Sequence, residues 1–494
     1  MALSAVVTVA LLTHPIIAIF LLPLAAVLVY RISPLHTLAH IPGPHLPRLS
    51  SLWLVRHAWV GDEASAVHRL HHRYGSVVRT GPMSVDIADG DALQAIYVDK
   101  GGFRKAAFYR NFDIDGHASI FSELEPGTRA PRAKAVTPLF STSNLRNGRS
   151  TIYSCVDQWV ERLKEAAHTG KPVNVLDLTR ALAVDAVTAY LFGKSYGGLD
   201  GQREERRAVA DEVHGGLSAG GMVNSFVAVG RYWYLPQSAF AWLEWAESKI
   251  YPDWEVFASI NVVDKFVEEV VDQSIGEKGA GSTYQARLLQ AGLSESEVKA
   301  QCKDLMFAGT DSTGMNLATI VYMLAKHPDK YERLRKELTD AKPSEGEVQS
   351  LPYLRGVVKE GLRISMANPS RLPRVVPPGG WIFKGTFFPA GTEVSCTPYE
   401  LHFDPNVFED PRAFKPERWL NATEQMNRDA IPFGLGTRQC IARNLATMEL
   451  YCATQRLVET DALRGARCCK DQIEILEWFN SRVTDEKIEV VWEK

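Results

Sequence analysis

The feature that most constrains this chain is a glycine-rich loop that ends in a cysteine, Phe433-Gly-Leu-Gly-Thr-Arg-Gln-Cys440. Gly434 and Gly436 permit a tight turn, which brings backbone N–H groups towards the Cys440 sulfur. These donors, together with the helix predicted to begin just after the cysteine, favour the thiolate over the thiol. A thiolate held in this way is a metal ligand, so Cys440 is the first candidate functional residue.

The other cysteines give no comparable signal. Seven cysteines in 494 residues form an odd and sparse set, which indicates reduced thiols and not a disulfide framework. No pair has the spacing of a zinc or redox CxxC site. We therefore predict that the remaining six are small, buried apolar side chains. These are Cys155, Cys302, Cys396, Cys452, Cys468 and Cys469.

The amino-terminal segment predicts a membrane anchor. Residues 2–30 contain no charged side chain, and residues 16–30 are almost wholly apolar. A membrane-spanning helix needs about 20 such residues. A cleaved signal peptide is the alternative, but the basic segment that should precede its apolar run is absent. An uncleaved anchor is the interpretation we carry forward.

The charges that follow this segment predict its orientation. Three arginines come shortly after the apolar run, which places the bulk of the chain on the cytosolic side. They are Arg31, Arg48 and Arg56. A proline-rich stretch then favours an extended, stiff connector. We predict three parts, an anchor over 1–32, a linker over 33–48 and a catalytic domain over 49–494.

Hydrophobic periodicity predicts a mainly α fold with a small β component. Residues 176–193 and 354–365 have helical spacing, and Ser294 opens a capping box before a long helix that runs to His327. Extended segments cluster at residues 374–397. The net charge of −3 gives no basic character to suggest a nucleic-acid partner.

Two further segments carry a combination of residues that needs explaining. Glu360 and Arg363 lie three residues apart, on one face of a predicted helix. An exposed pair of this kind would stabilise the chain little. The run Ala308-Gly-Thr-Asp-Ser-Thr313 places small and hydroxyl residues inside the long helix, normally a tight packing face. Such hydroxyls can also bond back to carbonyls one turn earlier and open the helix locally.

With the cysteine loop, these segments resemble the cytochrome P450 superfamily, whose loop reads FxxGxRxCxG. The match consists of Phe433, Gly436, Arg438 and Cys440, with Ala442 where the family usually has glycine. A nucleotide-binding GxGxxG loop does not fit, because its third glycine is replaced and no βαβ unit surrounds it. The resemblance implies the P450 fold, with haem b (iron protoporphyrin IX) bound through Cys440 as axial ligand.

The resemblance also implies roles for several charged residues. Glu360 and Arg363 would form a buried structural triad with Arg418 from the later segment Phe414–Trp419. Arg374 and Arg438 would bind the haem propionates. Arg129 is a further candidate for this role, in an upstream segment that departs from the family's aromatic-xxx-basic pattern, and Arg132 is a weaker one. These residues would fix the haem and the core beneath it.

The run within the long helix resembles the family's oxygen-binding groove, usually AGxDTT. Gly309 would let the helix approach the haem. Asp311 and the next hydroxyl would deliver protons to dioxygen. That hydroxyl belongs to Ser312, where threonine is more usual, and Thr313 is the competing candidate.

The resemblance implies a monooxygenase acting on an apolar small molecule. Aromatic residues at 103–121, at Phe226 and at 232–236 lie where the family's active-site roof and access channel would fall. The anchor, the PERW sequence at 416–419 and the sequence 373–377 look most like filamentous-fungal enzymes that tailor polyketides or terpenoids. The expected location is the endoplasmic reticulum membrane, in a single-pass topology with the catalytic domain in the cytosol.

Electrons would come from a separate protein, because the chain has no room for a flavin or nicotinamide domain. The expected partner is an NADPH–cytochrome P450 reductase, with cytochrome b5 as a second candidate. A basic face that includes Arg438 and Arg443 would dock its acidic surface.

Two other functions remain open at this point. A haem-thiolate isomerase or dehydratase would rearrange a peroxide without using dioxygen, and a haem sensor or carrier would catalyse nothing. The acid–alcohol pair Asp311 and Ser312 argues against both. NADPH consumption in the presence of a reductase and dioxygen would distinguish all three.

Overall fold

The computed structural model describes residues 15–200, 223, 228–250, 254–276, 281–344 and 348–492. Helices dominate these residues. The α-helices are α1 (Pro15–Ile32), α2 (His45–Leu49), α3 (Leu52–Val60), α4 (Glu63–Tyr74), α5 (Pro126–Val136), α6 (Thr142–Asn147), α7 (Arg149–His168), α8 (Val175–Phe192), α9 (Gln237–Ile250), α10 (Trp254–Gly276), α11 (Tyr284–Gln290), α12 (Glu295–Lys326), α13 (Pro328–Ala341), α14 (Pro352–Ile364), α15 (Pro398–His402), α16 (Glu424–Asp429) and α17 (Arg443–Glu459). The mainly helical fold class is confirmed.

The β component consists of short strands. They are β1 (Val77–Gly81), β2 (Ser84–Ile87), β3 (Arg104–Lys105), β4 (Val173–Asn174), β5 (Arg374–Val375), β6 (Trp381–Phe383), β7 (Thr386–Phe388), β8 (Glu393–Ser395), β9 (Ala466–Cys468), β10 (Ile475–Leu476), β11 (Arg482–Val483) and β12 (Glu489–Trp492). The largest sheet has the order β1-β2-β8-β5-β3, with β2 and β8 parallel. Antiparallel pairing of β3 with β5 sets Lys105 beside Arg374, although 269 positions of sequence separate them.

The long helix α12 organises the core. It begins at the predicted capping box, in which Ser294 and Glu297 satisfy each other's backbone N–H groups, and it ends before Pro328. Most of its side chains are buried, because it is packed between α8, α14 and α17. It packs tightly against α8 at Gly314, where a Cβ atom would lie 2.7 Å from Cγ of Arg180.

Gly309, in contrast, is not the site of a tight approach. A Cβ atom there would lie 3.4 Å from Cγ2 of Val187 on α8, which is ordinary packing distance. Gly309 also lines the cavity described below, so the expectation that it lets the helix approach a cofactor stays a prediction. The glycine required for close packing is Gly314.

The segment predicted to be an extended linker is partly folded onto the domain. Leu38 and Ile41 are fully buried in a core cluster with strands β2 and β8, and residues 45–49 form the short helix α2. The residues around Pro44 keep the extended conformation that proline favours. Apolar side chains within the segment thus bind it to the body of the molecule.

The predicted anchor lies partly outside the described residues, since residues 1–14 are not among them. Within the part of the chain that is described, no helix is both long enough and apolar enough to cross a bilayer. Phe226, expected near the access channel, also falls outside the described ranges.

Candidate active site

One internal cavity collects most of the residues singled out in the sequence. It is lined by the Cys440 loop, by the middle of α12 and by the ends of strands β3 and β5. Apolar side chains such as Leu305, Val187 and Phe433 make up much of its wall. The chemistry of the site depends on a small number of polar groups placed in this apolar lining.

The Cys440 loop is a closed turn fixed by its own backbone. The Cys440 N–H donates to the Phe433 carbonyl at 2.9 Å, which joins the two ends of the loop. Gly434 and Gly436 adopt φ values of 65° and 67°, in the left-handed region that glycine tolerates. At Gly436 a Cβ atom would lie only 1.9 Å from the Tyr97 carbonyl oxygen, so no other residue fits there.

Cys440 opens into the cavity, whereas Cys155, Cys302, Cys396 and Cys452 are buried in the packed protein. The prediction that six cysteines are buried is wrong for two of the six. Cys469 is exposed and Cys468 is half-buried. Their position near the carboxyl terminus, on and just after strand β9, places them at the edge of a sheet. Only Cys440 therefore combines access to the cavity with the loop described above.

The surroundings of the Cys440 thiol act on its pKa in both directions. Burial raises the pKa of the thiol, and the opposing effects of the Ala442 N–H and the Arg443 charge are smaller. A metal that coordinates a thiol removes its proton outright. The loop thus positions the sulfur, and a bound metal would take it in the thiolate form.

Four basic side chains converge beside this loop. Arg129, Arg374, Arg438 and Lys105 all line the cavity, and no carboxylate pairs with any of them among the described residues. Burial and the neighbouring charges of Arg129 and Arg374 lower the pKa of Arg438 to about 10. Such crowding of like charges is unfavourable unless anions are bound between them.

The guanidinium groups are held in place by neutral acceptors. Arg438 donates to the carbonyls of Glu123 and Leu124 at 2.6 and 2.8 Å, and Arg129 donates to the Ile120 carbonyl at 3.0 Å. Their charges thus stay uncompensated and are available to an anion in the cavity. Arg132 behaves differently.

Arg132 is ion-paired outside this cluster. Its guanidinium lies 2.8 Å from a Glu297 carboxylate oxygen and 3.6 Å from one of Glu123. Two carboxylates already neutralise its charge, so Arg132 is not placed to bind a further anion.

The structure brings Glu360, Arg363 and Arg418 together beneath the cavity wall. Arg363 binds both carboxylate oxygens of Glu360, at 2.8 and 3.0 Å, and Arg418 Nε donates to Oε1 at 3.0 Å. Trp419 Nε1 and the Lys415 N–H complete the set of donors to this carboxylate. With Glu360 and Arg363 fully buried, the group is a structural ion-pair network.

His402 connects this network to the Cys440 loop. Arg363 donates to the His402 carbonyl at 2.7 Å, and the imidazole Nδ1 lies 3.0 Å from the Arg363 carbonyl. Nε2 accepts from the N–H of Ile431, which leads into the loop. Since Nε2 accepts, Nδ1 carries the proton, and the ring is neutral. Burial lowers the pKa of His402 to about 3.

The hydroxyl groups of α12 are divided between the cavity and the helix backbone. Ser312 and Thr313 both line the cavity, and Ser312 Oγ donates to the Ala308 carbonyl one turn earlier, at 2.8 Å. Thr310 makes the same type of bond to Met306 at 2.7 Å but faces away from the cavity. Two adjacent hydroxyls are thus available to transfer protons within the cavity.

Asp311 does not face the cavity. Its side chain is turned towards α8, where it pairs with Arg180, and its other oxygen accepts from Asn480 Nδ2 at 3.2 Å. Asn480 itself lines the cavity. Asp311 therefore reaches the cavity only through Asn480, which differs from the direct contact expected from the sequence.

Several polar residues that line the cavity were missed by the sequence analysis, among them Lys105, Asp304 and Asn480. A signal existed for Asp304, because it lies four residues before Ala308 and eight before Ser312, on the same helix face. Lys105 and Asn480 come from a short strand and a carboxyl-terminal turn. Their place depends on pairings between distant segments, for which no local pattern exists.

The donor set fits haem. Haem b carries an iron that accepts an axial thiolate, two propionates that need cations, and an apolar ring. The cavity supplies Cys440, an uncompensated cluster of cations, and apolar walls. The absence of any carboxylate partner for this cluster, within the described ranges, is the observation that fits bound propionates.

Comparisons with known proteins give the same result. A family profile described as Cytochrome P450 matches residues 41–460. The chain is 38% identical, over 96% of its length and 99% of the relative's, to Cytochrome P450 monooxygenase mfmF of Annulohypoxylon moriforme. It is 29% identical to the fusicoccadiene C-8 hydroxylase of Alternaria brassicicola, with 84% of this chain and 82% of the relative covered. Pisatin demethylase of Fusarium vanettenii is 28% identical, with 85% and 83% covered.

Proposed function

Since the chain belongs to the cytochrome P450 family and is a haem-thiolate monooxygenase, we propose that it oxidises an apolar small molecule of fungal secondary metabolism. The substrate class is a polyketide or terpenoid intermediate, into which one oxygen atom of dioxygen is inserted. Two observations support this class, the apolar wall of the cavity and the similarity to an enzyme that hydroxylates fusicoccadiene.

The observation that carries this function is a shared cavity. Cys440, the cation cluster and the hydroxyls of Ser312 and Thr313 all line it. When bound, the haem supplies the redox chemistry that activates dioxygen. A carrier or sensor would have no use for hydroxyls positioned to transfer protons into an apolar cavity.

Each residue of the site has a definite task in this proposal. Cys440 would ligate the iron, and the closed turn, joined by the bond from the Cys440 N–H to the Phe433 carbonyl, holds the sulfur in position. Arg129, Arg374 and Arg438 bind the propionates, as the positive ends of charge-assisted hydrogen bonds.

The proton-transfer task falls to α12. Ser312 keeps its hydroxyl at the cavity wall by donating to Ala308, so its lone pairs and, after rotation, its proton are available to the reacting oxygen. Asp311 accepts a hydrogen bond from Asn480 and pairs with Arg180, and so orients the Asn480 amide at the cavity. Apolar neighbours on the cavity wall keep bulk water away from these hydroxyls.

Electrons come from a separate NADPH-dependent reductase, for which we propose Arg443 as part of the docking face. Arg443 is exposed at the start of α17, three residues beyond the Cys440 ligand. Arg438, also expected on that face, is turned inward to the Glu123 and Leu124 carbonyls. It belongs to the cofactor site and not to the docking surface.

We further propose that the amino-terminal segment anchors the protein to the endoplasmic reticulum, with the catalytic domain in the cytosol. Support comes from helix α1, whose apolar side chains Leu21, Leu22, Leu24 and Val29 are 52–63% exposed. A surface of this kind needs an apolar environment. Asn421, in the exposed sequence Asn421-Ala-Thr423, tests the topology.

A cytosolic domain should carry no glycan at Asn421, and the protein should stay with membranes after alkaline carbonate washing. Deletion of residues 1–32 should release it. A glycan at Asn421 would show that the topology is the opposite of the one proposed. Release of the full chain by carbonate would show that the segment is not a membrane anchor.

The monooxygenase function itself is tested with the haem-loaded protein. Reduced protein with carbon monoxide should show the absorption typical of thiolate ligation, Cys440→Ser should abolish it, and the exposed control Cys469→Ser should retain it. With reductase, NADPH and isotopically labelled dioxygen, the label should appear in the product. A product formed without NADPH and dioxygen would instead indicate an isomerase or dehydratase.

A further inference from the structure

Helix α4 carries two neighbouring histidines that have no part in the cavity described above. The Nε2 atoms of His68 and His72 lie 3.1 Å apart, and the planes of the two rings are inclined at 88°. The four-residue spacing places both side chains on one face of the helix. The His72 side chain is exposed and that of His68 is 26% exposed, so a solute can reach both rings.

The separation of the two nitrogens matches that of a chelated metal ion. Imidazole nitrogens bind zinc at about 2.0–2.1 Å, so an ion bound to both Nε2 atoms would hold them at an angle of about 100°, close to the tetrahedral value. Imidazole is also a ligand of copper and nickel. Within the described part of the chain, three or more His, Cys, Asp or Glu side chains nowhere form a metal-binding group. Water would therefore fill the remaining positions around such an ion.

His68 is oriented by a buried carboxylate. Its Nδ1 lies 2.9 and 3.0 Å from the two carboxylate oxygens of Glu400 on helix α15, and the Glu400 side chain is only 6% exposed. A carboxylate only accepts hydrogen bonds, so Nδ1 donates, and Nε2 of the neutral ring presents its lone pair to His72. A carboxylate behind a ligating imidazole is the common arrangement at metal sites in proteins.

Glu400 is also short of positive charge. Its ion-pair partner is His68, and no lysine or arginine among the described residues lies within ion-pair distance of its carboxylate. A buried carboxylate without a compensating charge is unfavourable. A metal ion on Nε2 of His68 would supply positive charge across the ring and would strengthen the hydrogen bond from Nδ1 to Glu400.

We propose that His68 and His72 bind one divalent transition-metal ion, such as Zn²⁺, and that Glu400 is the positioning residue behind His68. In the metal-free protein, Nε2–H of His72 donates to Nε2 of His68. Metal binding replaces this hydrogen bond with two metal–nitrogen bonds, and the His72 proton then resides on Nδ1. The site lies outside the haem cavity and does not depend on the proposed function.

Titration of the haem-loaded full chain with Zn²⁺ alone tests the site. The protein is purified without a histidine tag, and the heat of binding is measured. Wild type should bind one ion per chain in a saturable step. Glu400→Gln should weaken binding by about 10–100-fold, as loss of a carboxylate behind a ligand does. His72→Ala removes a ligand at an exposed position, and its effect should be at least as large.

Two controls and a spectroscopic measurement separate these roles. His168→Ala removes an exposed histidine elsewhere and Cys469→Ser removes an exposed thiol, and both should keep wild-type zinc binding. X-ray absorption at the zinc edge should show two imidazole nitrogens at about 2.0–2.1 Å in wild type and in Glu400→Gln. The same ligands at lower affinity would identify Glu400 as a positioning residue, since a collapsed site would lose them.

Absence of saturable zinc binding by wild type would overturn the proposal, and so would an unchanged affinity in His72→Ala. An unchanged affinity in Glu400→Gln would overturn the positioning role of Glu400. The reduced carbon monoxide spectrum shows whether each variant folds and holds haem. Should Glu400→Gln fail that check, His72→Ala and the zinc-edge measurement on wild type still decide whether the two histidines bind the ion.

Discussion

Nη2 of Arg180 lies 2.8 Å from Oδ1 of Asp311, and both side chains are almost completely buried. The second arm of Arg180 reaches Glu486 at 2.7 Å, and Glu486 is 22% exposed. Asp311 is therefore the inner end of a charged network that runs from near the surface to Asn480 at the cavity. This arrangement fixes the Asp311 carboxylate in place, with Asn480 between it and the cavity.

Removal of Arg180 should destabilise the protein strongly. Arg180→Met leaves Asp311 as a buried charge with only an amide donor, and loss of one partner of a buried pair costs about 3–5 kcal/mol. We expect a large drop in the apparent melting temperature of the haem-loaded protein. Arg162→Met, which breaks a pair with the exposed Glu165, should change stability by less than about 1 kcal/mol. Similar melting temperatures for the two variants would contradict this role of Arg180.

The buried Glu360–Arg363 pair can be compared with an exposed ion pair that has the same three-residue spacing along a helix. Glu360→Gln leaves Arg363 and Arg418 facing each other without a carboxylate, so we expect a loss of about 3–5 kcal/mol and poor haem retention. Glu165→Gln breaks an exposed pair of the same three-residue spacing and should have almost no effect. Unfolding by denaturant measures both. A mild Glu360→Gln phenotype would mean that Trp419 and the backbone hold the segment without the charge.

His402 predicts a dependence of stability on pH. Its pKa falls from 6.5 in the unfolded chain to about 3 in the folded protein, because burial disfavours the charged ring. Between these values the unfolded chain binds a proton that the folded protein does not, so acidification lowers stability. The contribution of this residue is fully present above pH 6.5 and falls by about 1.4 kcal/mol per pH unit below it.

Unfolding of wild type and His402→Gln at a series of pH values from neutral to mildly acidic isolates this contribution. The difference in stability between the two proteins should shrink as the pH falls. A difference that stays constant with pH would show that His402 is not the group responsible.

The cation cluster predicts selective binding of a dianionic haem. Arg438→Ala should weaken haem binding by about 1.5–3 kcal/mol, roughly ten-fold to a hundred-fold, through loss of a charge-assisted contact to a propionate. Arg132→Ala is the control, because Arg132 is already paired with Glu297 and Glu123. Haem content per chain and the rate of haem transfer to an acceptor protein measure the effect.

The dimethyl ester of haem tests the charge directly. Wild type should bind the ester more weakly than haem, and Arg438→Ala should reduce that difference. If Arg438→Ala discriminated against the ester as strongly as wild type, Arg438 would not be a propionate ligand.

The sequence predicted those parts of the site whose residues lie close together along the chain. The Cys440 loop and the Glu360–Arg363 pair lie within a single turn, where chain spacing alone fixes which groups meet. The contact of Arg180 with Asp311 joins positions 131 residues apart. Helix periodicity placed Asp311 and Ser312 on α12 but could not state which neighbouring helix each would face.

The same limit explains the errors. The extended linker was predicted from its prolines, but burial of Leu38 and Ile41 outweighed that preference. Lys105 joined the site through the pairing of β3 with β5, two strands of two residues each. Strands this short leave no periodic pattern from which to predict a partner.

The proton-transfer role of Ser312 is separable from that of Thr313, since both hydroxyls line the cavity but only Ser312 donates to Ala308. We expect Ser312→Ala to leave haem content and substrate binding nearly unchanged, because only one oxygen is lost. Product per NADPH should fall and hydrogen peroxide should rise, as loss of a general acid slows its step by about 10²–10⁴-fold.

Ser312→Thr, which restores a hydroxyl with an added methyl, should retain coupling if the cavity accommodates the methyl group. Thr313→Ala is the matched comparison, one position along and about 100° around the helix. If Thr313→Ala uncoupled turnover and Ser312→Ala did not, the proton donor would be Thr313. If neither variant raised hydrogen peroxide, protons would reach the oxygen through Asn480 and water, and Asn480→Ala would then be the variant that uncouples.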